Sequence, residues 1–385
     1  MKNKLSKKIK IVIIVKSIDG GTGTFLLNLL EIKKLFSKSS IIKTLVLERP
    51  TYRKIKNNKF SYFRDKDFYP QKYSFSSSNF VNFFSELLWI RKKLTNVKPT
   101  VILSIDLRCN LLAILTKLFF FKNIKVMITN HIDLARTIFD KSTPVVNFFL
   151  KKTIQKIYDK ADVIIGVSKR LSDSLKKDFN LKNRVYTIYN GQDVHNINFR
   201  KLSSPNKYKK IITIARLFEQ KDHINLIKAF SLLSKDIPKT RLLIISDGPE
   251  RNSLESFVRK KKLVGKVDFL GWVDNVESYL KTADIFVLSS KREGFGYVLI
   301  EAMAQCLPIV STDTPYGPSE ILNGGEYGIL VPMNDSKAFK KAIYTLLTNS
   351  KKYEYYSKKS FERSKYFSVE KMLTYYQKIL TDLIK

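Results

Sequence analysis

Short runs built almost wholly of Ile, Val, Leu and Phe recur along this chain, each followed by a turn and then a helical pattern. That alternation restricts the fold more than any other feature. A fully apolar run of four to eight residues is the mark of a strand buried on both faces, as in a parallel sheet covered by helices. In the first half such strands fall near Lys10–Val15, Thr44–Leu47, Val101–Ser104, Val126–Thr129, Val163–Val167 and Val185–Ile188. In the second half they begin at Ile211 and recur near Leu242–Ile245, Val267–Phe269, Ile285–Leu288, Pro308–Ser311 and Gly328–Leu330. The pattern is that of an α/β protein with parallel sheets. The first helix is expected to begin near Thr22–Thr24 and to turn Phe25, Leu26, Leu29 and Leu30 inward. A length of 385 residues accommodates two domains, each with its own core. A polar break over 196–209, containing Ser203-Ser204-Pro205-Asn206, reads as the linker between them. The expected division is therefore 1–200 and 201–368, with a last helix over 369–385.

Composition excludes several classes. Hydrophobic residues make up 44% of the chain, so disorder is not its state. Only Cys109 and Cys306 are present, which excludes a disulfide framework or a cysteine zinc site and fits a reducing compartment. His131, His195 and His223 are too scattered to suggest a metal cluster. The apolar run Ile11–Val15 after the basic start is too short for a signal peptide. The run Asn110–Phe121, broken by Lys117, falls short of the roughly 20 residues that span a bilayer. The formal charge of +36 has three readings: nucleic-acid binding, attraction to an anionic membrane, or a compositional bias toward Lys, Asn, Ile, Phe and Tyr. No recognised nucleic-acid-binding motif is present, and membrane attraction is the better functional reading, with bias contributing.

The stretch Glu293–Glu301 carries the most chemistry. Ile285–Leu288 is a buried strand, Gly294 and Gly296 permit a tight turn, and a helix begins at Tyr297. The free N–H groups of its first turn make a seat for an anion or for sugar hydroxyls. Glu293 lies in the loop and Glu301 one turn into the helix, so the two acids face different parts of one elongated ligand. A carboxylate near such a helix start suits the diol of a ribose.

The spacing Glu293…Glu301 resembles the E-x7-E signature of the retaining glycosyltransferase family 4, whose members have the two-domain GT-B fold. Other stretches agree in order. Ile211–Leu217 with Phe218–His223 is similar to the family's strand-Arg-x4-Lys phosphate clamp, placing Arg216 and Lys221 in it. Leu243–Arg251 resembles the G-x-G-P turn through Gly248-Pro249, departing from it at Ser246, where the first glycine usually stands. Val267–Trp272, Gly317–Leu322 and Gly328–Pro332 resemble the elements that follow. Asp19-Gly20-Gly21, Thr129-Asn130-His131, Ala161–Ser168 and Tyr189–Asp193 match stations of the first half. The resemblance covers nearly the whole chain.

It implies two Rossmann-like parallel-sheet domains facing across a cleft, an N-terminal acceptor-binding one and a C-terminal one for a nucleotide sugar, with the last helix crossing back to the first. It implies that Arg216 and Lys221 hold the donor diphosphate, that Glu301 grips the ribose, and that Gly20 and Gly21 let the backbone approach the phosphate and the acceptor. Glu293, with the N–H groups of Gly294, Phe295 and Gly296, fixes the donor sugar, and His131, placed beside the donor sugar, orients substrate and supports the transition state. Each has a plainer alternative. Arg216 and Lys221 are two of 70 basic residues, Glu301 is a helix N-terminal acid, Glu293 is a loop acid beside Arg292, the glycines form a simple turn, and His131 is a structural histidine. His195 and His223 are read as structural.

No D-x-D station stands in a plausible place, so no metal and no cofactor is expected. For the acceptor two amphipathic segments stand out: Asn82–Lys93 and Val145–Lys160. Each either rests on an anionic leaflet, delivering a polyprenyl-linked sugar, or packs in the core with its lysines outside. The expectation is transfer of a hexose or N-acetylhexosamine from a UDP-linked sugar to a bacterial cell-surface glycan, as in lipopolysaccharide or capsule synthesis. The acceptor is a glycan or a polyprenyl-linked glycan, and the place is the cytoplasm, on the inner face of the membrane. The alternatives are a soluble acceptor or, outside enzymes, nucleic-acid binding.

Overall fold

The computed structural model describes residues 9–18, 20–36, 40–48, 68–69, 79–134, 144–181, 184–194, 202, 208–273 and 275–385. The chain divides into two compact units, Met1–Gly191 with Val369–Lys385, and Gln192–Ser368. The polar break at 196–209 falls almost wholly outside the described residues.

The first unit is a parallel sheet of β1 (Lys10–Val15), β2 (Ile41–Val46), β3 (Val101–Ile105), β4 (Lys125–Asn130), β5 (Val163–Gly166) and β6 (Val185–Thr187), in the order β2-β1-β3-β4-β5-β6. Val15 pairs with Ile105, and Ile105 with Thr129. The connections carry α1 (Gly20–Leu30), α2 (Asn79–Val97), α3 (Leu107–Phe120), α4 (Pro144–Tyr158) and α5 (Lys169–Asp178). Leu87, Ile90 and Leu94 of α2, Leu112 of α3, Tyr158 of α4 and Leu175 of α5 share one core with Val12, Ile102, Val126 and Ile164 of the sheet. Those four helices therefore cover one face. Right-handed crossover puts α1, which joins β1 to β2 in the opposite direction, on the other.

The second unit repeats the plan with β7 (Lys209–Ile214), β8 (Thr240–Ile245), β9 (Val267–Gly271), β10 (Ile285–Leu288), β11 (Ile309–Thr312) and β12 (Ile329–Val331), in the order β12-β11-β10-β7-β8-β9. Its helices are α6 (His223–Asp236), α7 (Arg251–Lys260), α8 (Val276–Thr282), α9 (Tyr297–Ala304), α10 (Pro318–Ile321), α11 (Ser336–Thr348) and α12 (Ser350–Ser364). The final helix α13 (Val369–Leu383) packs on the first unit: Gln377 donates to the Leu35 carbonyl at 3.0 Å, and the Tyr376 ring lies 6.2 Å from that of Phe25.

The strand orders locate the ligand edge. In an open doubly wound sheet, helices leave a crevice at the carboxyl ends of the two strands where the winding direction reverses. In the first unit those strands are β1 and β3; in the second they are β7 and β10.

Candidate active site

At the second unit's switch point the chain leaves β7 through Ala215-Arg216-Leu217. Arg216 is exposed, with its guanidinium carbon 5.1 Å above the Phe218 ring and no ion-pair partner among the described residues. A short 3-10 turn, Glu219–Lys221, then leads into α6. Lys221 Nζ donates to Glu293 Oε1 at 2.6 Å, and the Ser290 hydroxyl donates to the same oxygen at 2.6 Å. The loops after β7 and β10 are joined further by backbone: Ser289 Oγ to the Lys221 carbonyl at 2.8 Å, Lys291 N–H to that of Gln220 at 2.8 Å. Glu293 is thus paired with Lys221, across 72 residues of sequence, and not with Arg292. The lysine and the carboxylate are only 17% and 10% exposed, which strengthens their attraction relative to a surface pair.

Beyond Glu293 the expected turn is present. Gly296 has φ +90° and opens α9, so the turn needs a glycine there. The Phe295 side chain is buried against Phe367, leaving its backbone as the part that can meet a ligand. A Cβ at Gly317 would lie 2.2 Å from the Phe295 carbonyl oxygen, so the Gly317-Pro318 turn braces this loop from behind. Glu301 sits half-buried in the second turn of α9. The turn after β8 packs behind Arg216: Glu250 N–H donates to the Leu217 carbonyl at 3.1 Å, and a Cβ on Gly248 would meet that oxygen at 2.4 Å. Pro249 follows in the same turn. Ser246, the departure from the glycine pattern, keeps a glycine-like backbone at φ +113°, and its buried hydroxyl has no partner among the described residues.

His223 opens α6 and is buried, with Nε2 3.3 Å from the Arg216 carbonyl oxygen. Burial, reinforced by the Lys221 charge and opposed by that backbone contact, pushes its pKa down to about 4, so the ring is neutral. It supports the loop of Arg216 and Lys221 from inside. His195 lies outside the described residues.

In the first unit α1 begins at Gly20, two to four residues earlier than the sequence suggests. Gly20, at φ +59°, turns the chain into the helix, and Gly21 lies in the first turn rather than in a loop before it. His131 follows β4 directly, its ring 4.6 Å from that of Phe25. Nε2 is buried without a hydrogen-bond partner among the described residues. Burial lowers the pKa of His131, the charge of Asp106 opposing, which favours the neutral ring. Beneath it is a polar network that the sequence reading did not assign. Asn110 Nδ2 donates to the Thr129 carbonyl at 2.9 Å, the Ser104 hydroxyl donates to Asn110 Oδ1 at 2.7 Å, and the Tyr158 hydroxyl donates to Asn130 Oδ1 at 3.1 Å. It locks the ends of β3 and β4 that present His131. The available signal was the polar residues Ser104, Thr129 and Asn130 closing otherwise apolar strands. A 780 Å³ hollow lined by Lys98, Phe120, Phe121, Lys125 and Leu383 lies at the amino ends of β3 and β4, the opposite edge, and contains none of these residues.

Among the described residues no group of three or more His, Cys, Asp or Glu side chains is disposed to hold a metal, and no helix is long and apolar enough to cross a membrane.

Two doubly wound parallel-sheet units with candidate residues at their strand carboxyl ends are the architecture of the GT-B fold. Residues 55–196 match the model of Glycosyltransferase Family 4 and residues 194–363 that of Glycosyl transferases group 1. The chain belongs to glycosyltransferase family 4. It is 31% identical over 229 residues to the N-acetylgalactosamine-N,N'-diacetylbacillosaminyl-diphospho-undecaprenol 4-alpha-N-acetylgalactosaminyltransferase of Campylobacter jejuni, covering 59% of this chain and 61% of that one. It is 31% identical over 187 residues to the lipopolysaccharide core biosynthesis glycosyltransferase LpsE of Rhizobium meliloti, covering 48% and 52%. Its matches thus span between about half and three-fifths of these two relatives' length. The crystal structure of Anabaena HepE in complex with UDP superposes with a TM-score of 0.74 at 17% identity, over 97% of this chain and 100% of that one, a likeness of fold.

Proposed function

We propose that this chain is a retaining, metal-independent glycosyltransferase that moves a hexose or N-acetylhexosamine from a UDP-sugar to a growing bacterial cell-surface glycan carried on a lipid. The observation that carries the reading is the arrangement at the β7–β10 switch point, where exposed, unpaired Arg216 stands beside the Lys221–Glu293 pair. Arg216 is free to take an oxygen of the leaving diphosphate, and Lys221 adds a second cation already fixed by Glu293. As the glycosidic bond breaks, negative charge grows on the diphosphate, and cations held in advance stabilise that state more than the ground state. Glu293, with the backbone of Gly294, Phe295 and Gly296, accepts and donates hydrogen bonds to the donor sugar, and Glu301 accepts from the ribose hydroxyls. The first-turn N–H groups of α1 at Gly20 and Gly21 offer donors to phosphate oxygens. Neutral His131 orients a sugar hydroxyl. The bond from the acceptor oxygen to the anomeric carbon forms on the face that the diphosphate vacates, and the leaving phosphate oxygen takes the acceptor's proton.

The donor choice is supported by the UDP bound in the HepE structure, and the lipid-linked acceptor by the undecaprenol and lipopolysaccharide in the relatives' names. Attachment to the inner face of the cytoplasmic membrane is supported by two helices. Each of α2 and α4 buries one apolar stripe and exposes another: Val81, Phe84 and Leu88 on α2, Val146, Phe148 and Phe149 on α4. Exposed Arg91 and Lys92, and Lys152 and Lys156, continue those outer faces.

Thermal unfolding in the presence of UDP, GDP, ADP and their sugars, with EDTA present, tests the donor site. A rise in Tm selective for UDP and one of its sugars is expected; saturation at about 100 times Kd stabilises by about 2.7 kcal/mol. A rise with GDP alone refutes the UDP assignment, a rise that needs added Mg²⁺ refutes metal independence, and none at all sinks the donor site.

A further inference from the structure

We infer that Arg363 is a positioning residue for the donor sugar: it fixes the turn 294–296 from behind and so sets how sharply that turn tells one sugar from another. The inference rests on the donor-site reading above, with Arg363 acting through the turn and not on the sugar itself.

Arg363 lies in the last turn of α12, where any basic side chain would serve the helix dipole. Its guanidinium is used otherwise. Nε donates to the Ile321 carbonyl at 2.9 Å, and Nη2 donates to the Glu320 carbonyl at 3.0 Å. Both acceptors stand at the carboxyl end of α10, a helix of a single turn. One planar fork thus closes the end of a second helix, a geometry that a lysine ammonium does not reproduce. The same guanidinium is packed among three rings. Its carbon lies 4.6 Å from the ring centroid of Tyr366, 5.0 Å from that of Phe367 and 5.2 Å from that of Tyr327. Charge-assisted hydrogen bonds and aromatic faces together hold this half-buried cation in one place.

From that one group two paths reach Phe295. The first runs through α10. Ile321 N–H donates to the Gly317 carbonyl at 2.8 Å and Leu322 N–H to that of Pro318 at 2.9 Å, so the turn is tied from end to end. At its start Gly317, with φ +68°, lies so near the Phe295 carbonyl oxygen that a Cβ would come within 2.2 Å of it. The second path is aromatic. Phe367, beneath the guanidinium, meets the Phe295 ring at 5.7 Å with the planes at 77°. The carbonyl and the ring of one residue are therefore both anchored on Arg363. The N–H groups of Phe295 and its two glycine neighbours are those given to the sugar in the reading above. Arg216 and Lys221, given to the diphosphate, follow β7 and lie outside both paths. Removing the fork should loosen the sugar end of the donor site and spare the diphosphate end.

The test compares the parent with Arg363→Met, which keeps the stem and loses the fork, and Arg363→Lys, which keeps the charge. Kd is measured by calorimetry for UDP and for UDP-linked glucose, galactose, N-acetylglucosamine and N-acetylgalactosamine. Backbone hydrogen exchange is followed by mass spectrometry on the same proteins without ligand. The parent is expected to separate its tightest from its weakest UDP-sugar by about tenfold or more, the worth of one well-placed hydrogen bond. In Arg363→Met that spread is expected to fall to about threefold or less, with Kd for UDP within about twofold of the parent's. Exchange is expected to rise over 293–297 and 317–322 and to stay unchanged in β7, β8 and α6. Arg363→Lys is expected to fall between the two, and carries the comparison alone if Arg363→Met does not fold. An undiminished spread, or unchanged exchange in the turn, overturns the inference. So does equal weakening of UDP and its sugars with exchange raised throughout the second unit, which would make the arginine merely structural. A parent that binds UDP without telling the four sugars apart overturns it as well. Failure of the parent to bind any of these nucleotides counts against the donor-site reading instead, and exchange then still decides whether Arg363 fixes the turn.

Discussion

Ser246 sits at φ +113°, where side chains with a Cβ are strained, and its hydroxyl is buried without a partner. Both features cost stability, and neither is offset by a visible contact of the side chain. Replacing it by glycine removes the strain, of order 1–3 kcal/mol, and the desolvated hydroxyl, while the freer unfolded chain returns about 0.5–1 kcal/mol. Ser246→Gly is therefore expected to stabilise the protein by about 1 kcal/mol net, read as a higher urea midpoint at unchanged slope. A lower midpoint would show that the serine makes an interaction in solution absent from this structure. At the same scale, spacing alone singled out Lys221 and Glu293 but not their pairing. The sequence offers Arg292 next door as the obvious partner, and only the adjacency of β7 and β10 brings Lys221 to the carboxylate.

At the scale of elements, α6 begins on His223, whose ring is buried beneath the Arg216 loop. Its pKa falls to about 4 in the folded protein, against 6.5 for the free side chain. Between those values the unfolded chain binds a proton that the folded chain refuses, so stability rises with pH through this window and falls on acidification. The fully developed loss is on the order of 3 kcal/mol at pH 4 relative to pH 7. His223→Gln is expected to flatten the stability profile between pH 4 and 6.5 and to leave it parallel to the parent above pH 7. An unchanged acid slope would move the effect to other groups. Most strands were legible to within one or two residues, because a doubly buried strand must be apolar throughout, whereas β2, whose first three residues are exposed or half-buried, was expected three residues late at its start. Helix faces were less so. For α2 and α4 the sequence offers a core helix or a membrane-facing one, and the structure shows both an inward and an outward apolar stripe on each. Periodicity gives one dominant face and hides the second. The start of α1 was misplaced because Gly20 and Gly21 read as a loop, whereas a glycine at φ +59° serves as the entry to the helix.

Over the whole molecule the dominant property is a formal charge of +36, which no local contact explains. Charge alone attracts any polyanion and is screened over about 8 Å at physiological ionic strength. A membrane-binding protein needs an apolar component as well, and the outward stripes of α2 and α4 supply one. The exposed residues Phe84, at 55%, and Phe149, at 64%, lie in the second turns of the two helices, with basic side chains further along each. Partial burial of each ring in the interface contributes about 1 kcal/mol, and each nearby basic residue a similar amount. Binding to vesicles containing phosphatidylglycerol is thus expected at low salt, with a portion surviving high salt because it is apolar in origin. The double variant Phe84→Ser, Phe149→Ser is expected to lose that salt-resistant portion, about tenfold in partitioning, while keeping the salt-sensitive part and the thermal response to UDP. If the coat of lysines is a compositional bias and nothing more, parent and variant will bind alike and both will leave the vesicles as salt is raised. Indifference of the parent to anionic vesicles even at low salt removes the membrane from the account altogether, and a soluble acceptor then becomes the better reading of the same active site.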